Sequence, residues 1–237
     1  SSRAGRRGRS GRPNLSKESP VVIRLSALYR EPIRRILCLG AHADDIEIGC
    51  AGTISRLLQE LPGVHVSWVV LSANPQRVDE AKRSATQLLV AADSRQIQVA
   101  DFRESFFPYD GAAIKGYFNS VIREQRPDLV FTHFGGDRHQ DHRLVWELTW
   151  NTFRDHLILE YEIVKYEGDI GSPSVFVPLT SVEMQAKCDH LWTHFVSQRE
   201  KRWFVPETFN AVAKIRGIEC NAPDGYAEAF HCRKLVI

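Results

Sequence analysis

The 237-residue chain has no run approaching the roughly 18 uncharged apolar residues that a membrane-spanning helix requires. Its first residues also lack the apolar stretch of a secretory leader. A membrane-embedded or exported protein is therefore not expected. Cysteine is sparse: Cys38, Cys50, Cys188, Cys220 and Cys232 are an odd number with no CxxC pair. Neither a disulfide framework nor a thiolate zinc site is indicated, and a reducing, cytoplasmic setting fits. A basic excess is missing from the part that can fold. Arg3, Arg6, Arg7, Arg9, Arg12 and Lys17 crowd the first 17 residues, where no acid occurs, and the remainder holds 25 basic against 29 acidic residues. A nucleic-acid partner would rest on that tail alone and is not expected. No GxGxxG phosphate loop is present, because Gly40, Gly49 and Gly52 are spaced wrongly, which speaks against a dinucleotide cofactor. No internal repeat is visible. What remains is 43% apolar and 25% charged, the composition of an ordinary globular protein whose length suits one large domain.

Residues 1–20, rich in Ser, Arg, Gly and Pro, cannot bury a core and read as a disordered arm or a non-native extension. Residues 21–237 are expected to form a single domain. Apolar runs of strand length at Ile36–Leu39, Val64–Leu71, Ile97–Ala100 and Leu129–Thr132 read as buried strands. Segments of helical period lie between them, at Ile48–Leu61, Asp79–Ala92 and Ala113–Glu124. Strand and helix in alternation imply right-handed crossovers, hence an α/β, Rossmann-like three-layer domain with a mainly parallel sheet. The pattern then loosens into a C-terminal segment with a strand at Ile163–Tyr166, a helix around Val182–Phe195 and a final strand near Lys234–Ile237. In an open parallel sheet the ligand crevice lies beyond the carboxyl ends of the strands, which directs attention to the residues after Leu39 and after Thr132.

Directly after Leu39 comes Gly40-Ala41-His42-Ala43-Asp44-Asp45-Ile46-Glu47, one imidazole and three acids at a strand-to-helix turn. Taken singly, Asp44 or Asp45 caps the next helix and His42 is an ordinary turn residue. Two adjacent carboxylates repel, however, and a cation stabilises both while taking His42 as a further donor. After the fourth strand, Asp137-Arg138-His139-Gln140-Asp141-His142 places two histidines at i and i+3 in the first turn of a helix. The two turns together supply His42, Asp45 and His142, a two-histidine, one-carboxylate set that leaves coordination positions open. Imidazole and carboxylate without thiolate suit Zn2+ or another divalent first-row metal, which acidifies water for hydrolysis. Asp44 is then placed to take a proton, His139 to stabilise developing negative charge, and Asp141 to orient a ligand histidine. Asp110, in Tyr109-Asp110-Gly111 after the third strand, and Glu228, near the C-terminus, are weaker candidates for substrate contact. His133 reads as a hydrogen-bonded core histidine.

The His-x-Asp-Asp turn followed about 100 residues later by His-x-Asp-His resembles the PIG-L/LmbE-like family of metal-dependent N-acetylglucosamine deacetylases. Supporting marks are Arg77-Val78-Asp79-Glu80, Arg126-Pro127-Asp128, His194-Phe195-Val196-Ser197-Gln198 and Tyr226-Ala227-Glu228-Ala229-Phe230. The resemblance implies zinc ligands at His42, Asp45 and His142, a general base at Asp44, and a group at His139 that stabilises the oxyanion. It also implies that Arg77 contacts substrate and that the C-terminal segment bearing Glu228 reaches the mouth of the site. Ala43 and Gln140 stand where the family commonly has Pro, positions that supply no ligand. The implied activity is hydrolysis of an N-acetyl or longer N-acyl group on an amino sugar or its conjugate, with a small-molecule substrate as the partner. A non-catalytic carbohydrate-binding protein on the same fold is the alternative. A non-haem iron oxygenase uses a similar ligand set, but on a β jelly roll that this chain does not resemble.

Overall fold

A computed structural model describes residues 33–235; the expected N-terminal arm lies outside the described residues, as does the end of the chain at 236–237. Seven strands make one sheet: β1 (Arg35–Gly40), β2 (His65–Val70), β3 (Ser94–Val99), β4 (Leu129–His133), β5 (Leu157–Tyr161), β6 (Val175–Leu179) and β7 (Tyr226–His231). Their spatial order is β3-β2-β1-β4-β5-β7-β6. The first five run parallel, and β7 enters antiparallel to both β5 and β6. Six helices pack on the sheet: α1 (Asp45–Glu60), α2 (Pro75–Leu88), α3 (Gly111–Tyr117), α4 (Gln140–Thr152), α5 (Ser181–His194) and α6 (Pro206–Glu219). This is the expected α/β architecture with a mainly parallel sheet and helices on both faces, and two apolar clusters fill the space on either side. None of the helices among the described residues is long and apolar enough to cross a membrane.

Local chemistry explains several boundaries. Asn74 caps α2 by accepting the Arg77 N–H at 3.0 Å, with Pro75 in the first turn. Thr180 and Glu183 form a reciprocal capping box at the start of α5. Asp128, after the left-handed Arg126 and Pro127, accepts the backbone N–H groups of Arg34 and Arg35 at 2.8 and 2.9 Å and so pins the start of β1 beside β4.

Helix α1 is broken at Cys50, whose φ of −149° is not helical. The break frees the N–H groups of Gly52 and Thr53, which donate to the Glu228 carboxylate of β7 at 3.0 and 2.6 Å. Gly49 is required at this bend, since a Cβ there would lie 2.3 Å from the Tyr161 ring. That ring is fixed in turn by its hydroxyl, which donates to the Leu39 carbonyl at 2.5 Å.

The C-terminal third departs from expectation. Ile163–Tyr166 is not a strand: β5 ends at Tyr161, and the chain leaves the sheet as Lys165 turns toward the loop after β4. Among the described residues the last strand is β7; of the strand expected at Lys234–Ile237, Lys234 and Leu235 have no regular structure and 236–237 lie outside the described residues. Strands β5, β6 and β7 and helix α6 lie where the sequence pattern marks no such element. Strand β3 is an edge strand with an exposed first half, rather than a buried one.

Candidate metal centre

Adjacent parallel strands β1 and β4 deliver the two motif turns to the same end of the sheet. The turn after β1 is tied to β4 by the Ala41 N–H, which donates to His133 Nε2 at 2.9 Å. His139 caps α4 by accepting the Asp141 N–H on Nδ1 at 3.3 Å, which leaves Nε2 to carry the ring proton. Neither Asp44 nor Asp45 is spent as a helix cap. Asp44 occupies the N-cap position of α1 without a side-chain cap bond, and Asp45 Oδ2 accepts the His42 N–H at 2.7 Å while facing the histidines.

His42 Nδ1 lies 3.1 Å from His142 Nε2 and 3.3 Å from Asp45 Oδ2, and His142 Nε2 lies 3.5 Å from the same oxygen. Ligands 2.0–2.1 Å from a tetrahedral ion sit roughly 3.3 Å from one another, so this triangle has the spacing of three first-row metal ligands. All three residues are buried. The nitrogen of each ring that faces away from the triangle meets a carboxylate. Asp141 Oδ2 is 3.1 Å from His42 Nε2, and Asp137 Oδ2 is 2.8 Å from His142 Nδ1. Such carboxylates fix tautomer and ring orientation.

The electrostatics are those of compressed donors. Burial would depress His42, but the Asp45 and Asp141 carboxylates outweigh it and hold the imidazolium up to about 10. Burial pushes His142 down to about 3, helped by His133 and only partly opposed by Asp45 and Asp137. Burial would raise Asp45, yet His142, His42 and His133 hold it well below the usual carboxylate range. A buried carboxylate against two imidazole rings is a donor set suited to a divalent cation, which would displace the proton that His42 otherwise holds.

His133 is closer to this centre than a core role suggests. Its Nε2 is 3.3 Å from Asp45 Oδ2, its ring stacks on His142 at 3.9 Å, and its Nδ1 is buried without a partner. The donor atoms of Asp45, His133 and His142 lie within 4.8 Å of one another, as do those of His42, His139 and His142. The His139 ring stands edge-on to His42 and is half-buried; burial and the charge of His42 lower its pKa.

Asp44 is buried beside the triangle. Desolvation raises its pKa against the pull of Arg77, whose Nη2 is 2.5 Å from Asp44 Oδ1. Arg77 Nη1 holds both oxygens of Glu104 at 3.2 Å. Glu104 belongs to the loop between β3 and α3, which is seated on the centre by a second link. Asp141 accepts the backbone N–H groups of Ser105 at 2.6 Å and Phe107 at 3.2 Å, with Ser105 in the left-handed region at φ 66°.

The candidate residues thus fall into two groups. His42, Asp44, Asp45, Arg77, His139, Asp141 and His142 converge. Asp110 is half-buried at the N-cap of α3, and its side chain makes no cap hydrogen bond. Glu228 is buried behind α1, where besides Gly52 and Thr53 it takes the Lys187 ammonium at 2.5 Å. Asp137, Glu104 and Lys165 have no role in the sequence reading. Asp137 stands in the second motif, while Glu104 and Lys165 lie in loops without a pattern that would mark them.

The family model for GlcNAc-PI de-N-acetylase, PIG-L, matches residues 37–153, the stretch from β1 through α4 that carries both turns. Over 135 residues the chain is 31% identical to an uncharacterized deacetylase, YaiS, of Escherichia coli K12, a match covering 52% of this chain and 70% of that one. The chain belongs to the PIG-L family. A second relative, the diacetylchitobiose deacetylase of Thermococcus kodakarensis, is 28% identical over 146 residues, covering 53% of this chain and about half (52%) of its own length. The PIG-L fold is also found in a solved structure of GalB, the 4-carboxy-2-hydroxymuconate hydratase of Pseudomonas putida, with a TM-score of 0.68, 17% identity and coverage of 86% and 98%. Fold alone therefore does not choose the reaction, and the choice rests on the residues of the site.

Proposed function

We propose that this PIG-L member is a metal-dependent amidohydrolase that removes an N-acetyl, or longer N-acyl, group from an amino sugar or its conjugate. The observation that carries the reading is the triangle of His42 Nδ1, His142 Nε2 and Asp45 Oδ2 with the unspent carboxylate of Asp44 beside it. Those three residues would hold the metal, with Zn2+ the best match to the donors. A divalent cation, when bound, acidifies water and polarises an amide carbonyl.

The chain's own groups account for the rest. Asp44 accepts a proton from the attacking water as its oxygen bonds to the amide carbon. Arg77 grips Asp44 Oδ1 and thereby directs Oδ2 to that proton. His139, with Nε2 bearing its proton, donates to the oxyanion that forms on the carbonyl oxygen. Collapse breaks the C–N bond, the proton held by Asp44 passes to the leaving nitrogen, and the carboxylic acid and amine so formed are released as carboxylate and ammonium once the acid's proton has passed to the amine. Asp141 and Asp137 keep the two ligand rings aimed inward throughout. The family description and the chitobiose-directed relative support an acetylated amino sugar as the substrate class.

The test is amine release from a panel of N-acetylated sugars, free, nucleotide-linked and glycoside-linked, with chelator and with zinc restored. Chelator-sensitive release from any member is expected. A zinc-loaded protein that bound these sugars but released nothing would favour the carbohydrate-binding alternative.

A further inference from the structure

We propose that Lys165 is a positioning residue of the metal centre, acting through Asp137 on His142 and through Asp169 on the turn that carries His139. The proposal deepens the metal-centre reading and rests on it. Lys165 lies in the segment after β5, outside both motifs, yet its side chain is only 7% exposed. The ammonium reaches Asp137 Oδ2 at 2.9 Å, Asp169 at 2.7 and 2.9 Å, and the Ile163 carbonyl at 3.3 Å. The ammonium thus hydrogen-bonds to Asp169 and the Ile163 carbonyl and forms an ion pair with Asp137.

What those two aspartates hold defines the role. Asp137 Oδ2 faces His142 Nδ1 at 2.8 Å, and Asp137 Oδ1 accepts the His139 N–H at 2.7 Å. Asp169 Oδ2 accepts the intervening Arg138 N–H at 2.7 Å. One ammonium thus joins the two carboxylates that fix residues 137–139 and the ring of His142. Without it, two buried carboxylates stand close together with no cation between them and repel, and the plane of Asp137 loses one of the partners that define it. The turn and the His142 ring would then be held less firmly.

A purely electrostatic role makes the opposite prediction. Lys165 partly neutralises Asp137, so its removal would strengthen the pull on the His142 proton, make that ring a better donor and tighten metal binding. Positioning predicts weaker binding and an altered coordination geometry.

The full 237-residue chain, stripped of metal, is titrated with Co2+, with affinity read by chelator competition and geometry by the visible ligand-field bands. Lys165→Met is expected to bind Co2+ about 10- to 100-fold more weakly, with shifted bands. Lys165→Arg, which keeps charge and donors, is expected to recover most of both. If the methionine variant does not fold, Lys165→Gln carries the same measurement. Affinity and bands unchanged, or tighter binding, in the methionine or glutamine variant would overturn the proposal while leaving the metal centre standing. Failure of the unaltered chain to bind Co2+ would overturn the metal centre itself, and this proposal with it.

Discussion

His42 and His142 face each other through ring nitrogens 3.1 Å apart, and each is held from behind by an aspartate. The two residues are 100 positions apart in the chain and come from the ends of neighbouring parallel strands. Neither ring is free to rotate away, because turning His42 would break its contact with Asp141 and turning His142 would break that with Asp137. The two aspartates thus fix the orientation of both rings toward each other.

Metal retention and turnover should separate between Asp45 and its neighbour Asp44. Asp45→Ala removes a corner of the triangle and should lower bound zinc well below one equivalent, read by elemental analysis after dialysis. Asp44→Asn should keep the metal and lower kcat about 100-fold or more, the usual worth of a positioned general base. Near-normal turnover in the asparagine variant would remove the role assigned to Asp44.

Arg77 touches Asp44, not open solvent, and this gives it a stability signature. Arg77→Met leaves Asp44 buried with no guanidinium and frees Glu104 from the site. Breaking a buried pair from one side costs about 3 kcal/mol or more, measured by urea unfolding of the metal-free protein. Arg77→Lys should be intermediate, because a lysine presents a point charge instead of a fork spanning Asp44 and Glu104. Unchanged stability with a raised KM alone would mean that Arg77 acts through substrate contact.

Strands β1, β2 and β4 were legible because they are buried and rich in apolar residues, as in Ile36–Leu39 and Leu129–Thr132; the parallel β5, equally buried, was not read. Helix α6 was not, since Ile215 and Ile218 are exposed and blur the period that would mark its buried face. Strand β6 was hidden by partial burial and by Pro178. Ile163–Tyr166 misled because a β-rich composition cannot show that Lys165 is drawn away to Asp137. In the site, the motif turns carry their chemistry in adjacent residues and were readable. Lys165 reaches Asp137, and Glu104 reaches Arg77, across 27 or more positions, a relation no local spacing records.

Glu228 separates a fold role from a substrate role. Its carboxylate accepts the two N–H groups released by the break at Cys50 and neutralises Lys187, whose ammonium also donates to the Ile48 carbonyl. Glu228→Gln leaves Lys187 charged and without its carboxylate, and should cost about 3 kcal/mol in urea unfolding. KM for an active sugar substrate should stay within about twofold. A large rise in KM at unchanged stability would instead support the expectation that this segment reaches substrate.

Acid sensitivity should be carried in part by His190. This half-buried ring on α5 lies 2.8 Å by Nε2 from Ser84 Oγ, and Ser84 hydrogen-bonds to the buried Glu47. Burial lowers His190 to about 4, with the neighbouring His194 adding to the shift. The unfolded chain takes up a proton near pH 6.5, whereas the folded protein resists it until about 4, so this residue's contribution to stability is lost as the pH falls through that window. Glu47, raised to about 8 by burial, runs the other way above about 4.5, which makes the comparison between variants the informative one. In His190→Gln the side-chain amide can still donate to Ser84 but does not titrate. Its Tm, followed from pH 7 to pH 4, should fall less steeply than that of the unaltered chain, with the two curves diverging below about pH 6.5. Parallel curves would show that the proton is taken up elsewhere.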